Sequence, residues 1–221
     1  MNKTFKTNNS NFFNGECIVF IHGLSRSSRS FRKMQKYFKN MGYAIVNVDY
    51  SSMGHNIEEI SELIVKPQII NASIAAFKKV HFVTHSMGGI ILRAILGKYI
   101  QEFKNLGNVV QLAPPNQGSK RADRAGWIAK IVYSEVLKDL ETGSRGICHK
   151  LPSVNFHLGV IASNIDGKVK PEEAWIDGMA DSFMTRRFHT FIMRAPEVIE
   201  ATHNFITTGK FRTVKESIEC A

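Results

Sequence analysis

The stretch from Val80 to Ile90, reading Val-His-Phe-Val-Thr-His-Ser-Met-Gly-Gly-Ile, sets the tightest limit on what this chain can fold into. Its first half is an apolar, strand-forming run, and its second half opens a helix with small residues. Ser86 stands at the join, on a sharp strand-to-helix turn. A serine hydroxyl is a weak nucleophile. Such a turn supplies what it lacks, namely access for a histidine and a helix N-terminus that stabilises negative charge. The turn crowds its neighbours, so the residues two before and two after the serine should be small. Gly88 meets that requirement, whereas Thr84 stands where glycine is expected. The plainer alternative is an ordinary helix start with a Thr or Ser cap.

A second segment argues against that alternative. Ile18-Val19-Phe20-Ile21 reads as a short buried strand and ends in His22-Gly23-Leu24-Ser25. A backbone N–H just past such a strand, together with the N–H of the residue after the nucleophile, can hold the oxygen of a tetrahedral intermediate. The expected donors are Leu24 and Met87. Gly23 is expected both to turn the chain and to let its backbone come close to the substrate. His22 reads as structural.

Two further pieces lie towards the C-terminus. Asp166-Gly167 follows the apolar run Leu158-Gly159-Val160-Ile161-Ala162, and His189 precedes the last helical stretch. Ser86, Asp166 and His189 then stand in the order nucleophile, acid, base. The acid would orient the imidazole, which takes the serine proton and returns it to the leaving group. Of the eight histidines, His81 and His85 flank the central strand and read as packing or capping residues. His55, His149 and His157 precede the acid, and His203 lies in the terminal helix. Asp177 and Asp181 are nearer to His189 in sequence, but neither follows a strongly apolar strand.

The remaining pattern predicts a mostly parallel sheet with helices on both faces. Strands are expected at 17–21, 44–49, 80–84, 108–112, 158–162 and 183–187, and helices at 28–41, 57–77, 88–104, 120–140 and 196–208. Pro196 and Gly209 bracket the last helix as helix ends prefer. The catalytic candidates fall at the carboxyl ends of strands or in the loops after them, where open α/β sheets place their sites. The whole chain, 1–221, is expected to form one domain. Its segment 120–151 is either an amphipathic helix facing the core or a small lid over Ser86 that shapes the substrate site. The loop Pro114 to Ser119 reads as structural.

Charge narrows the partners. Lys plus Arg number 29 against 19 Asp plus Glu, a net charge of +10. The basic residues are scattered over presumed helix faces and loops without a nucleic-acid module, so no nucleic-acid partner is expected. The charge reads as a solvated basic surface, with peripheral attraction to an anionic membrane as the alternative. No apolar run reaches the roughly 18 residues of a membrane span, and the first ten residues are polar, which points to a cytoplasmic protein. Cys17, Cys148 and Cys220 are at no disulfide or metal spacing and read as free thiols.

On these residues the chain resembles the small bacterial lipase-like α/β-hydrolases, a family of serine esterases and lipases related to triacylglycerol lipases. The likeness is carried by five blocks: Phe20 to Ser30, Thr84 to Gly89, Leu112 to Ser119, Asp166 to Val169, and His189 to Met193. It implies the α/β-hydrolase fold with a minimal cap. It also implies cleavage of a small acyl ester or lipid through an acyl-enzyme on Ser86, with Asp166, His189 and the Leu24 and Met87 N–H groups in support. No cofactor or metal is required, because those groups supply the charge stabilisation. The alternatives are an acyltransferase or thioesterase using the same residues, or a non-catalytic binding protein on the same fold.

Overall fold

The structure, a computed structural model, describes residues 13–120, 133–142 and 146–212. Within them the strands are β1 (Glu16–Ile21), β2 (Ala44–Val48), β3 (Lys79–His85), β4 (Leu106–Leu112), β5 (Leu158–Ser163) and β6 (Asp181–Thr185). They form one sheet in the order β2-β1-β3-β4-β5-β6, and every neighbouring pair is parallel. The last strand lies two residues earlier than the pattern suggested. Its register against β5 runs from Gly159 opposite Asp181 to Ser163 opposite Thr185, after which Arg187 N–H turns to donate to Ser163 Oγ.

Side chains alternate across a strand, so each strand serves two cores. Cys17, Val19 and Ile21 of β1 join one apolar cluster while Ile18 and Phe20 join the other, and both sets are fully buried. The first cluster is covered by α2 (Ile57–Glu59), α3 (Lys66–Asn71) and α4 (Met87–Tyr99) through Ile57, Ile69, Ile90 and Ile91. The second is covered by α1 (Arg32–Asn40) and a helix at the end of the described chain, Pro196–Thr208, through Met34, Phe38, Val198 and Phe205. Burying each such side chain contributes roughly 1.5–3 kcal/mol. Parallel sheets need this cover on both faces.

The helix faces follow from the strand order. The chain moves outward from β1 to β2, then crosses back over β1 to β3. Right-handed crossovers in opposite directions put their helices on opposite faces. Beyond the carboxyl ends of β1 and β3 the two loops therefore diverge and leave a crevice.

Three helical expectations change. The stretch 57–77 begins with an Asn56–Glu59 capping box but widens into a π-helical turn over Ile60–Val65 and ends at Asn71. Pro67 cannot donate a backbone hydrogen bond and crowds the turn before it, and Ser73 (φ 55°) reverses the chain. The stretch 28–41 starts as a 3-10 turn over Ser28–Phe31 before α1, and α4 ends at Tyr99, with a 3-10 turn over Ile100–Glu102. More than half of the stretch 120–140 and nearly half of the 120–151 lid fall on 121–132 and 143–145, outside the described residues. The part described, α5 (Ser134–Asp139), buries Val136 and Leu137 in the first core cluster. A short α6 (Pro171–Ala174) follows β5, and the terminal helix Pro196–Thr208 is α7, closed by Gly209 at φ 79°. No helix among the described residues is long and apolar enough to cross a membrane.

Candidate active site

Ser86 is the single residue between β3 and α4 and holds φ 52°, a left-handed conformation that a non-glycine residue adopts only under strain. Ser25 (φ 54°), after β1, and Ala113 (φ 47°), after β4, share that strain. Three of the four such residues among those described thus cluster at the carboxyl end of the sheet. Each costs on the order of 1–3 kcal/mol, which the surrounding packing must offset. Ser86 is held by its N–H donating to Leu112 O (2.9 Å).

Gly88 is where the turn leaves no room. A Cβ there would lie 2.5 Å from both the Ile21 and His22 carbonyl oxygens, and neither backbone atom can move aside cheaply. Gly23 is also dictated by close approach, with a Cβ falling 3.0 Å from Ser86 Cβ. The reversal expected at Gly23 is made two residues later, at Ser25. Thr84, standing where glycine was expected, is wholly buried and its hydroxyl has no hydrogen-bond partner.

The structure brings three residues from distant parts of the chain into one line. His189 opens a 3-10 turn over His189–Arg194, and Asp166 sits in the loop after β5. The His189 Nδ1–H donates to Asp166 Oδ2 at 2.7 Å, and the Ser86 hydroxyl donates to His189 Nε2 at 3.0 Å. The other carboxylate oxygen of Asp166 accepts from Lys168 N–H (2.7 Å) and Val169 N–H (3.0 Å), so its orientation is fixed from behind. The Asp166 side chain is fully buried and that of His189 nearly so. With a carboxylate on Nδ1, the imidazole is the tautomer that leaves the Nε2 lone pair facing the hydroxyl.

The other aspartates lie elsewhere. Asp181 begins β6, at the end of the parallel sheet opposite Ser86, and accepts from Phe211 N–H (2.8 Å). Asp177 is exposed in the turn that leads to that strand. Leu24 follows Gly23 on the loop against Ser86. Met87 is the first residue of α4, so its N–H has no acceptor within the helix. His22 is buried and ties strand ends together: its ring stacks on Tyr50 at 4.2 Å and accepts from Tyr50 N–H. Burial lowers its pKa.

His85, read from the sequence as a packing or capping residue, has a partner that the sequence did not reveal. Its ring is fully buried 4.8 Å from that of His189, and its Nε2–H donates to the His189 carbonyl at 3.0 Å. Burial, reinforced by the nearby His189, holds its pKa well below the ordinary histidine value, so it stays neutral. It pins the backbone of the His189 loop to the strand that carries Ser86. Asn116 does similar work in the Pro114–Ser119 loop, donating to Gln111 Oε1 (2.9 Å) and to the Ala174 carbonyl (2.8 Å). Cys17 and Cys148 are free and buried, with thiols pushed up to about 12 and about 11, and Cys220 lies outside the described residues. Among the described residues no group of three or more His, Cys, Asp or Glu is arranged to hold a metal ion.

Comparison with known proteins agrees with this architecture. The model of the family described as palmitoyl protein thioesterase matches residues 17–169. No curated protein matches the sequence. Among solved structures, the mature lipase BlEst2 of Bacillus licheniformis is 20% identical with a TM-score of 0.71, over 88% of this chain and 91% of that one. A lipase-esterase related protein from Clostridium acetobutylicum is 15% identical with a TM-score of 0.65, over 88% and 97%. Phospholipase PlaB from Legionella pneumophila is 16% identical with a TM-score of 0.68, over 85% of this chain and 56% of that one. Likeness at such identities is one of fold, and the fold is that of the lipase-like α/β-hydrolases.

Proposed function

The chain belongs to the palmitoyl protein thioesterase family, and from that membership we propose that it is a serine acyl hydrolase that cleaves carboxylic esters through an acyl-enzyme on Ser86. The observation that carries this reading is the hydrogen-bonded line from Ser86 through His189 to Asp166. The Ser86 oxygen attacks the acyl carbon as His189 Nε2 takes its proton. The imidazolium so formed is stabilised by the buried Asp166 carboxylate. Leu24 and Met87 N–H groups receive the negative oxygen of the tetrahedral intermediate. His189 returns the proton to the leaving group, and water then releases the acid by the same steps in reverse.

The family description favours a second reading, in which the bond cleaved is a thioester. The same groups serve it, since a thiolate leaves with less help from the His189 proton. Lipid substrates suit the surroundings of His189, where Phe188 and Phe191 are exposed and Arg194 packs over the Phe191 ring. These apolar and basic groups also support peripheral contact with an anionic membrane. The free, buried Cys17 and Cys148 fit a reducing, cytoplasmic setting.

Hydrolysis of p-nitrophenyl esters of graded acyl length, with the matching acyl thioesters alongside, tests the proposal. Ser86→Ala, shown to be folded, should lose turnover by a factor on the order of 10⁶ and fail to gain the mass of a fluorophosphonate. Unchanged turnover in that variant would remove Ser86 from the chemistry. Relative rates on ester and thioester of one chain length decide between the two bonds.

A further inference from the structure

The loop that carries Leu24 continues into one wall of a cleft of about 550 Å³. Ser25, Arg26 and Ser27 line it from this loop, Asp49 and Ser51 from the loop after β2, and Tyr133 from the start of α5. The cleft lies beside the nucleophile, because Gly23, two residues before Ser25, packs against Ser86. The positive charge of Arg26 also reaches the buried His85 next to Ser86.

The chemistry of this lining selects its occupant. Met53, the tyrosine rings and the methylene stems give the lining more apolar than polar surface, and the serine hydroxyls, Arg26 and Asp49 stand among them, a mixture that a purely aliphatic chain would cover only by leaving polar groups unpaired. An anion would meet Asp49, and a cation would meet Arg26. A neutral group bearing several hydroxyls uses both, since each hydroxyl donates and accepts. Asp49 Oδ1 is engaged by Ser28 N–H (3.0 Å) and lies 3.2 Å from His22 Nε2, which leaves Oδ2 as an acceptor. Arg26 brings guanidinium donors, and Tyr133 brings an aromatic ring of the kind that packs on the C–H face of a sugar.

We propose that this cleft binds the alcohol part of the substrate as a hydroxyl-rich, sugar-like group, so that the protein deacylates acylated carbohydrates. The proposal rests on the reading of Ser86 as the acyl-accepting nucleophile. In the step implied, the Ser86 oxygen forms a bond to the acyl carbon and the bond from that carbon to the sugar oxygen breaks. The serine proton passes through His189 to that oxygen, and water later restores the hydroxyl of Ser86.

Two butyrate esters with ring-sized alcohols separate the contribution of the cleft from the chemistry: methyl glucoside acylated at its primary hydroxyl, and cyclohexylmethyl butyrate. The wild-type protein is expected to prefer the sugar ester in kcat/KM by about tenfold or more, the worth of one or two net hydrogen bonds. Arg26→Gln and Ser51→Ala should each shrink that ratio severalfold. Equal rates on the two esters, or a ratio that neither variant moves, would overturn the assignment of the cleft while p-nitrophenyl butyrate is still hydrolysed. Failure on all three esters would overturn the underlying reading of Ser86 and the cleft with it.

Discussion

The two ends of the sheet each hold a buried histidine paired with a carboxylate, and the pairs are wired in opposite senses. At the amino end, His81 of β3 donates from Nε2 to Glu16 Oε2 (3.2 Å) and accepts on Nδ1 from Asn108 N–H (2.9 Å). At the carboxyl end, His189 donates from Nδ1 to Asp166 Oδ2 and its Nε2 lone pair meets the Ser86 hydroxyl. The first ring has spent both nitrogens on fixed partners, one of them a backbone amide that cannot give up its proton. The second keeps one nitrogen for a group that can. A histidine–carboxylate pair is therefore no catalytic unit by itself. What distinguishes the two ends is the partner on the second nitrogen.

The largest expected effect comes from making the same chemical change at both ends. Asp166→Asn leaves an amide beside His189 Nδ1 that favours the wrong tautomer and cannot stabilise an imidazolium, so kcat should fall on the order of 10³–10⁴ with little loss of stability. Glu16→Gln keeps an acceptor for His81 Nε2–H and should change ester turnover by less than about threefold, at no more than about 1 kcal/mol of stability. Parallel kinetics and urea unfolding read both quantities. Equal activity losses in the two variants would erase the distinction between the ends.

The carboxyl end was legible where one local pattern or chain order carried the information. The apolar run into His85-Ser86-Met87-Gly88 has few foldings open to it, and Gly88 owes its identity to two carbonyls at the end of β1. Asp166 stood out from Asp177 and Asp181 because it alone follows a strongly apolar strand, Leu158 to Ala162. What was not legible depends on contacts between distant segments. His85 read as a packing or capping residue, but the segment it holds was hidden because its partner carbonyl is 104 residues away. The cleft of Arg26 and Asp49 exists only once β1 and β2 are neighbours. The π turn over Ile60–Val65 had a local cause, Pro67, which the apolar spacing of the helix masked.

A smaller effect belongs to the amino end. His81→Phe keeps an aromatic ring among Tyr43 and the close-packed Gly107, but it leaves Asn108 N–H without its acceptor and Glu16 without its donor. The expected cost is about 2 kcal/mol, near the middle of what such unpaired groups cost when buried. That corresponds to a fall of about 6 °C in thermal midpoint for a chain of this size. Turnover measured well below that midpoint should stay at the wild-type level. A loss of activity larger than the loss of folded protein would mean that the amino end reaches the site.

The same variant makes a finer distinction through pH. Burial lowers the pKa of His81 below its ordinary 6.5, with Glu16 opposing that shift, so folded His81 resists protonation that the unfolded chain accepts. The unfolded state then binds more protons just below pH 6.5, and stability must fall as the solution is acidified. Stability is thus whole above about pH 6.5 and is lost as pH drops from there towards the lower folded value. His22 and His85, lowered chiefly by burial as well, add to the same acid limb. Removing His81 should therefore flatten the limb without abolishing it, by at most one proton, or about 1.4 kcal/mol per pH unit. Urea midpoints of wild-type and His81→Phe protein between about pH 7.5 and about pH 5.5 measure the difference, the pH span being roughly one unit either side of the ordinary histidine value. Parallel curves for the two proteins would show that His81 titrates alike in the folded and unfolded chain, and the amino end would lose its claim to a histidine held neutral by packing.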